Sequence, residues 1–220
     1  MKGSVISGHA RSPDGAGTDA QTDAQRERRT RILDAAIALA SRGGFEAVQM
    51  RAVAEDADVA LGTLYRYFPS KIHLLVSALA REFERAAAAL RERPVTGASA
   101  ADRVVLVLGG ATRRMQADPH LTEALTRAFM FADASVQAES HEVGRLTTAM
   151  LTGAMHGDGQ DSGQDSGEGD ERRDLSDEDT AIAKVLADVW FSGLVGWVTG
   201  RTSADEVVAQ IEVAVRLLLR

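Results

Sequence analysis

The chain of 220 residues contains no cysteine. It therefore has no disulfide, no thiolate nucleophile and no cysteine-ligated metal, a composition that suits a reducing cytoplasm. The N-terminal region has no continuous apolar run, and we find no apolar stretch long enough to cross a bilayer. We therefore expect a cytoplasmic protein with no signal peptide and no membrane partner.

Groupings of residues that carry catalysis are also lacking. The five histidines show no metal-ligand spacing. Carboxylates between residues 157 and 174 are spaced by three and four, unlike the ligands of a calcium loop. No glycine-rich phosphate loop is present. We predict no catalytic residue, no metal and no cofactor, so a helical enzyme or lipid carrier is the disfavoured alternative.

The net charge of −7 argues at first against nucleic acid, but the acidity is local. Residues 157–179 hold ten acidic side chains against two arginines, which leaves +1 for the rest of the chain. Residues 25–71 carry eight basic and six acidic side chains. Because the negative charge is concentrated in one segment, it does not exclude DNA binding by the N-terminal part.

Apolar residues recur at helical spacing from about residue 30 onward, and no segment alternates with period two. This pattern predicts an all-α fold of nine helices. Residues 1–24 lack an apolar period and are expected to form a disordered tail. The first helix should end at Gly43-Gly44, and Ser70 should cap a long fourth helix.

The second half of the chain shows further helices around one polar segment. Residues 157–174 contain no apolar side chain and are expected to form a mobile acidic loop. Beyond it, Ser203 and Glu206 have the spacing of a capping box. Apolar stripes at Ile182–Trp197 and Val207–Leu218 are broader than one small domain needs, so we predict that they form the interface of a homodimer.

The sequence "ADVALGTLYRYFPSK" begins at the end of a short predicted helix, Val48 to Ala57, and a helix-turn-helix can be counted from Met50. The two short helices fit a helix-turn-helix with Asp58 at the turn, because Asp tolerates the left-handed conformation. A second helix of this kind lies in the major groove. Gly62 weakens that helix by about 1 kcal/mol relative to Ala, which is understandable where backbone approaches DNA closely.

Hydroxyl and basic side chains in the second short helix can contact DNA phosphates or bases. The alternative is that Tyr65 and Tyr67 are core or domain-interface aromatics and that Arg66 is ordinary solvated surface. If these side chains do contact DNA, residues 25–72 are the DNA-binding domain and residues 73–220 form the remaining domain. The predicted DNA-binding residues are Arg51, Leu61, Gly62, Thr63, Tyr65, Arg66, Tyr67 and Lys71.

The stretch "RILDAAIALASRGGFEAVQMRAVAEDADVALGTLYRYFPSKIHLL" resembles the DNA-binding domain of the TetR family of bacterial regulators. The resemblance implies that Thr63, Tyr65, Tyr67 and Lys71 contact a double-stranded operator. It also implies a C-terminal domain that binds an effector and forms a homodimer. Asp58 departs from the family, which usually has glycine at the turn.

Later segments, including "LTEALTRAFMFADAS" and "DVWFSGLVGW", are similar to the TetR-type repressors of cholesterol catabolism in actinobacteria. That resemblance implies an effector that is a steroid-derived acyl-CoA. A fatty acyl-CoA or a drug remains the alternative. The acidic segment 157–174 is an insertion that the resemblance does not explain.

An effector site in a helical domain lies between helices and is mostly apolar. For each apolar candidate, plain core packing is the competing interpretation. Arg127 can meet a carboxylate, a thioester oxygen or a phosphate, or it can pair with Glu123 four residues earlier. The predicted ligand-binding residues are Met115, Leu125, Arg127, Phe129, Met130, Met150 and Trp190.

Overall fold

A computed structural model describes the backbone of residues 14–157 and 177–219, and the side chains of this part from residue 23 onward. Within these ranges the regular structure consists of nine α-helices and one 3₁₀ helix, with no strand, which confirms the all-α prediction. The helices are α1 (Asp14–Ala47), α2 (Met50–Asp56), α3 (Leu61–Tyr67), α4 (Lys71–Glu92), α5 (Ala100–Ala117), α6 (Pro119–Met130), the 3₁₀ helix (Ala134–Val136), α7 (Gln137–His156), α8 (Asp177–Val198) and α9 (Ala204–Leu218).

Helix α1 begins at Asp14, which differs from the disordered tail predicted for residues 1–24. Extending an existing helix costs far less than nucleating one, and the Ala and Gln residues at positions 14–24 favour the extension, although the Gly, Asp and Thr residues there do not. The helical path breaks at Gly43 and at Gly44, whose φ is 68°. The break at Gly43-Gly44 confirms the predicted end of the first helix, and the residues up to Ala47 continue as helix beyond a sharp kink.

Side-chain caps set several helix starts. The Ser70 hydroxyl accepts a hydrogen bond from the His73 backbone N–H (3.1 Å), as predicted. The capping box of Ser203 and Glu206 is also confirmed. Asp118 caps α6 ahead of Pro119 by accepting from the Leu121 N–H (2.9 Å). These caps satisfy backbone donors that the first turn of a helix leaves without partners.

Two apolar cores hold the described residues together. The first is formed by α1 to α4 and continues into α6 and the start of α7. The second joins α5, the end of α7, α8 and α9. Helix α6 therefore belongs to the core that supports the helix-turn-helix, although it lies far from it in sequence. The two domains predicted at residues 25–72 and 73–220 share this core.

Helix α8 has the length and apolar composition of a membrane-spanning helix, contrary to the expectation that no such stretch exists. In the fold, its residues Trp190 and Leu194 are buried in the second core. Val207 and Ile211 of α9 are buried with them. Most of the two apolar stripes that were predicted to form a dimer interface is therefore buried within the chain itself. Other apolar side chains on the two helices are exposed, namely Val185, Val213, Leu217 and Leu218.

The predicted acidic loop, beyond Gly157 at the end of α7, lies outside the described residues.

Candidate nucleic-acid interface and effector cavity

Helices α2 and α3 form the predicted helix-turn-helix. Val53, Ala54 and Leu64 are buried where the two helices meet the rest of the first core. Asp58 in the turn has a φ of 51°, the left-handed conformation expected at this position. The turn therefore keeps its geometry without the usual glycine.

Helix α3 buries one residue, Leu64, and presents most of the others to solvent. Leu64 is fully buried, whereas Leu61, Gly62, Tyr65 and Arg66 are exposed. Thr63 is half-buried, and its hydroxyl oxygen lies 3.5 Å from the Arg66 guanidinium. An exposed helix face with hydroxyl, guanidinium and bare backbone groups is what phosphate and base-edge contacts require.

Tyr67 and Arg51 are among the predicted DNA-binding residues that have partners inside the protein. Tyr67 is half-buried against the first core, so the core interpretation holds for part of its ring. Arg51 is exposed on α2 and pairs with Glu55 at 3.5 Å. Such an exposed pair is worth little and leaves the guanidinium available.

Lys71 is the first residue of α4 and lies over an aromatic ring of the preceding segment. Its ammonium is 3.8 Å from the centroid of the Phe45 ring. Partial burial lowers the pKa of Lys71, while Glu46 nearby opposes that shift. The ring holds the ammonium beside the helix-turn-helix by a cation–π interaction. Its contact with an operator phosphate stays a prediction.

A cavity of about 680 Å³ lies between α4, α5, α6, α7 and α8. Its wall is mostly apolar and aromatic, with Phe83 and Phe191 among its members. Charged side chains, among them Arg85, Arg114 and Asp188, also line it. Five of the predicted ligand-binding residues line this cavity: Met115, Leu125, Phe129, Met150 and Trp190.

The aromatic wall is fixed by hydrogen bonding and edge contacts. The Trp190 indole N–H donates to the Thr112 hydroxyl at 3.0 Å, and that hydroxyl donates to the Leu108 carbonyl at 2.9 Å. The Phe129 and Phe191 rings meet edge to face with centroids 5.1 Å apart. A buried indole with its donor satisfied leaves an apolar surface facing the cavity. The cavity therefore has the size and chemistry of a site for a large apolar ligand.

Arg127 and Met130, which the sequence also predicted to bind a ligand, do not line this cavity. Met130 is exposed at the end of α6. The Arg127 guanidinium pairs with Glu46 at 3.0 Å and with Glu123 at 3.5 Å, and it stacks on the Phe45 ring. The alternative of a salt bridge to Glu123 is therefore what the structure contains. Helical periodicity explains the difference, because residues 125 and 129 face the cavity and residue 127 faces away.

Glu123 joins α6 directly to the segment before the helix-turn-helix. Its carboxylate accepts a hydrogen bond from the Phe45 backbone N–H at 2.8 Å. A side chain at Gly44 would place its Cβ 2.6 Å from the same carboxylate, so glycine is needed there for space as well as for its positive φ. One face of α6 thus lines the cavity while the opposite face holds the segment before the helix-turn-helix. The partners are 78 residues apart, and no local sequence pattern indicates such a pairing.

Two family models match the chain. The model for bacterial regulatory proteins of the tetR family matches residues 32–78. A model for the C-terminal domain of Tetracyclin repressor-like proteins matches residues 97–166 and 171–218. Together they cover the helix-turn-helix and four of the five helices around the cavity, whereas α4 beyond residue 78 lies between the two matches.

Relatives and solved structures agree with these matches. The HTH-type transcriptional repressor KstR of Rhodococcus jostii is 53% identical over 201 residues, which is 91% of this chain and 87% of the relative. A TetR transcriptional regulator from Rhodococcus sp. RHA1 has the same fold, with a TM-score of 0.76 and 31% identity over 89% of this chain and 97% of that one. The fold is also similar to FadR from Bacillus subtilis in complex with stearoyl-CoA, with a TM-score of 0.60 and 21% identity over 86% of this chain and 97% of that one.

Proposed function

The chain belongs to the TetR family of bacterial regulatory proteins, and from that premise we propose that it is a homodimeric repressor released from its operator by an acyl-CoA. It acts in the cytoplasm on double-stranded DNA. The observation that carries the proposal is the double role of α6, which lines an apolar cavity with Leu125 and holds the DNA-binding segment with Glu123.

Dimerisation would use the exposed apolar side chains of α8 and α9. Val185, Val213 and Leu217 are 48%, 60% and 57% exposed. A two-fold contact through this face would pack four helices and place two α3 helices on one DNA duplex. Half-sites of a palindromic operator would then lie about one helical turn or a multiple apart. Sedimentation at micromolar concentration tests this, and a monomer there would contradict it.

The effector that fits best is a steroid-derived acyl-CoA. Its support is the sequence resemblance to repressors of cholesterol catabolism, the similarity to KstR and a cavity lined by flexible methionines and aromatic rings. The FadR structure with stearoyl-CoA favours the CoA thioester class and keeps a fatty acyl-CoA as the second candidate.

Titration of the protein–operator complex distinguishes these effectors. Cholestenoyl-CoA should release the operator and free CoA should not, because the apolar body fills the cavity. Stearoyl-CoA is the comparison ligand. Release by stearoyl-CoA without release by cholestenoyl-CoA would reject the steroid assignment and leave the acyl-CoA repressor standing.

The effector acts by shifting a population of conformations. It binds more tightly to a released conformation in which α4 and α6 have moved relative to the helix-turn-helix. Coupling of this kind is usually about 1–3 kcal/mol, and operator DNA must weaken effector binding by the same factor. Calorimetry of the effector with and without operator tests this reciprocity.

A further inference from the structure

A second cavity of about 460 Å³ lies between the C-terminal half of α4, the loop after it and the outer side of α7. Apolar atoms come from Ala87, Leu146 and Ala149. Four charged side chains, Glu84, Arg91, Glu142 and Arg145, also line it. None of these residues was predicted to bind a ligand from the sequence.

Three side chains line both cavities and separate them: Leu90, Val107 and Met150. Met150 is half-buried and unbranched, so it can change rotamer without distorting the helix. A ligand longer than the first cavity therefore needs only a side-chain movement at this partition to reach the second.

The charge of the second cavity is balanced, with two arginines facing two glutamates. Arg145 donates two hydrogen bonds to Glu142, at 2.8 and 2.6 Å. A balanced lining of this kind offers no net attraction for phosphates, but it offers hydrogen-bonding groups to an uncharged polar chain. The amide-containing pantetheine arm of a CoA thioester has this chemistry.

We propose that the two cavities are one divided effector site, with the acyl body in the first cavity and the pantetheine arm in the second. The thioester lies between them at Leu90, Val107 and Met150, and the nucleotide lies outside. This inference rests on the acyl-CoA effector proposed above, and it adds which residues recognise the polar half of that ligand.

Two glycines of α7 provide a matched pair of tests. Gly144 lines the first cavity and Gly153 lines the second, and a Cβ at either position would meet nothing within 4 Å. Leucine forms helix better than glycine, so neither substitution weakens α7. Gly144→Leu fills the acyl cavity, and Gly153→Leu fills the second cavity. Ala149→Leu provides a second variant in the second cavity should Gly153→Leu not fold.

The ligands are cholestenoyl-CoA, stearoyl-CoA and the N-acetylcysteamine thioesters of the same acids, which lack most of the arm. Affinities are measured by calorimetry on full-length variants whose thermal melting is no lower than that of the unmodified protein and whose operator binding matches it. Gly153→Leu should weaken the CoA thioester by about tenfold, the size of an overpacking penalty, and leave the short thioester unchanged. Gly144→Leu should weaken both.

Unchanged CoA thioester binding in Gly153→Leu or Ala149→Leu, with weakened binding in Gly144→Leu, would overturn the divided site and leave the proposed function intact. Failure of both CoA thioesters to bind the unmodified protein would overturn the proposed function itself, and the divided site with it.

Discussion

The Arg127 guanidinium lies 4.5 Å from the centroid of the Phe45 ring, and the ring also lies beside the Lys71 ammonium. Arg127 belongs to α6, whereas Lys71 begins the helix that follows the helix-turn-helix. One aromatic ring therefore contacts both an arginine of α6 and a lysine predicted to contact DNA. We call this ring contact and the Glu123 hydrogen bond the joint, because under the proposed mechanism movement of α6 would reach the helix-turn-helix through them.

Arg127→Ala tests whether this residue serves the joint or the ligand. Because Arg127 does not line the cavity, effector affinity in the absence of DNA should stay within about twofold, while the effect of the effector on operator affinity should fall as the coupling is lost. Arg114→Ala is the comparison variant, because Arg114 does line the cavity. A fall in effector affinity with unchanged coupling would instead support the sequence prediction that Arg127 binds the ligand.

Glu123→Ala should destabilise the fold more than Glu46→Ala does. The first change leaves the half-buried Phe45 N–H without its acceptor, which costs about 1–3 kcal/mol. The second removes a pair whose Glu46 side chain is 75% exposed, which is worth at most about 1 kcal/mol. Urea unfolding measures the loss in free energy of unfolding for both variants, provided that its dependence on urea concentration is unchanged. Equal losses would show that Glu123 is only another surface partner of Arg127.

Gly62→Ala should stabilise the protein and weaken operator binding at the same time. A Cβ there meets nothing within 4 Å, so the helix gains up to about 1 kcal/mol. Gly144→Ala, equally open but on α7, should give a similar gain without any effect on DNA. Thermal melting and operator titration measure the two effects. Unchanged operator affinity in Gly62→Ala would mean that backbone at this position does not approach DNA.

Lys71→Ala should lower affinity for all DNA sequences alike. Loss of one phosphate contact reduces the dependence of log affinity on log salt by about one. Lys184→Ala, at an exposed position of α8, removes the same charge away from the helix-turn-helix and should leave that slope unchanged. Equal slopes for the unmodified protein and Lys71→Ala would reject the phosphate contact.

The two tyrosines of α3 should behave differently. Tyr65 is 46% exposed, so Tyr65→Ala should weaken operator binding without a measurable change in stability. Tyr67 packs against the first core, so Tyr67→Ala should also lower the free energy of unfolding, by about 1–3 kcal/mol. Tyr67→Phe keeps the ring and isolates the hydroxyl contact with DNA. Loss of stability in Tyr65→Ala would contradict the exposed placement.

Local signals in the sequence were sufficient for the helices and for the helix-turn-helix. Helical periodicity, the Gly43-Gly44 break, the Ser70 cap and the capping box of Ser203 all depend on residues within a few positions of one another. The left-handed turn at Asp58 is likewise local. The start of α1 was missed because polar residues that extend a helix look the same as polar residues of a tail.

The roles of α6 depended on tertiary structure. Leu125 and Arg127 are two residues apart, and periodicity alone places them on different sides of a helix without indicating which side faces the cavity. That choice was made by the packing of α6 between α1 and α8, and by the bond from Glu123 to a backbone N–H 78 residues away. The sequence determined which segments are helices, because those forces act along the chain. Only the folded structure decided which face of α6 meets the ligand and which meets Phe45, because burial and charge pairing act between segments that are distant in sequence.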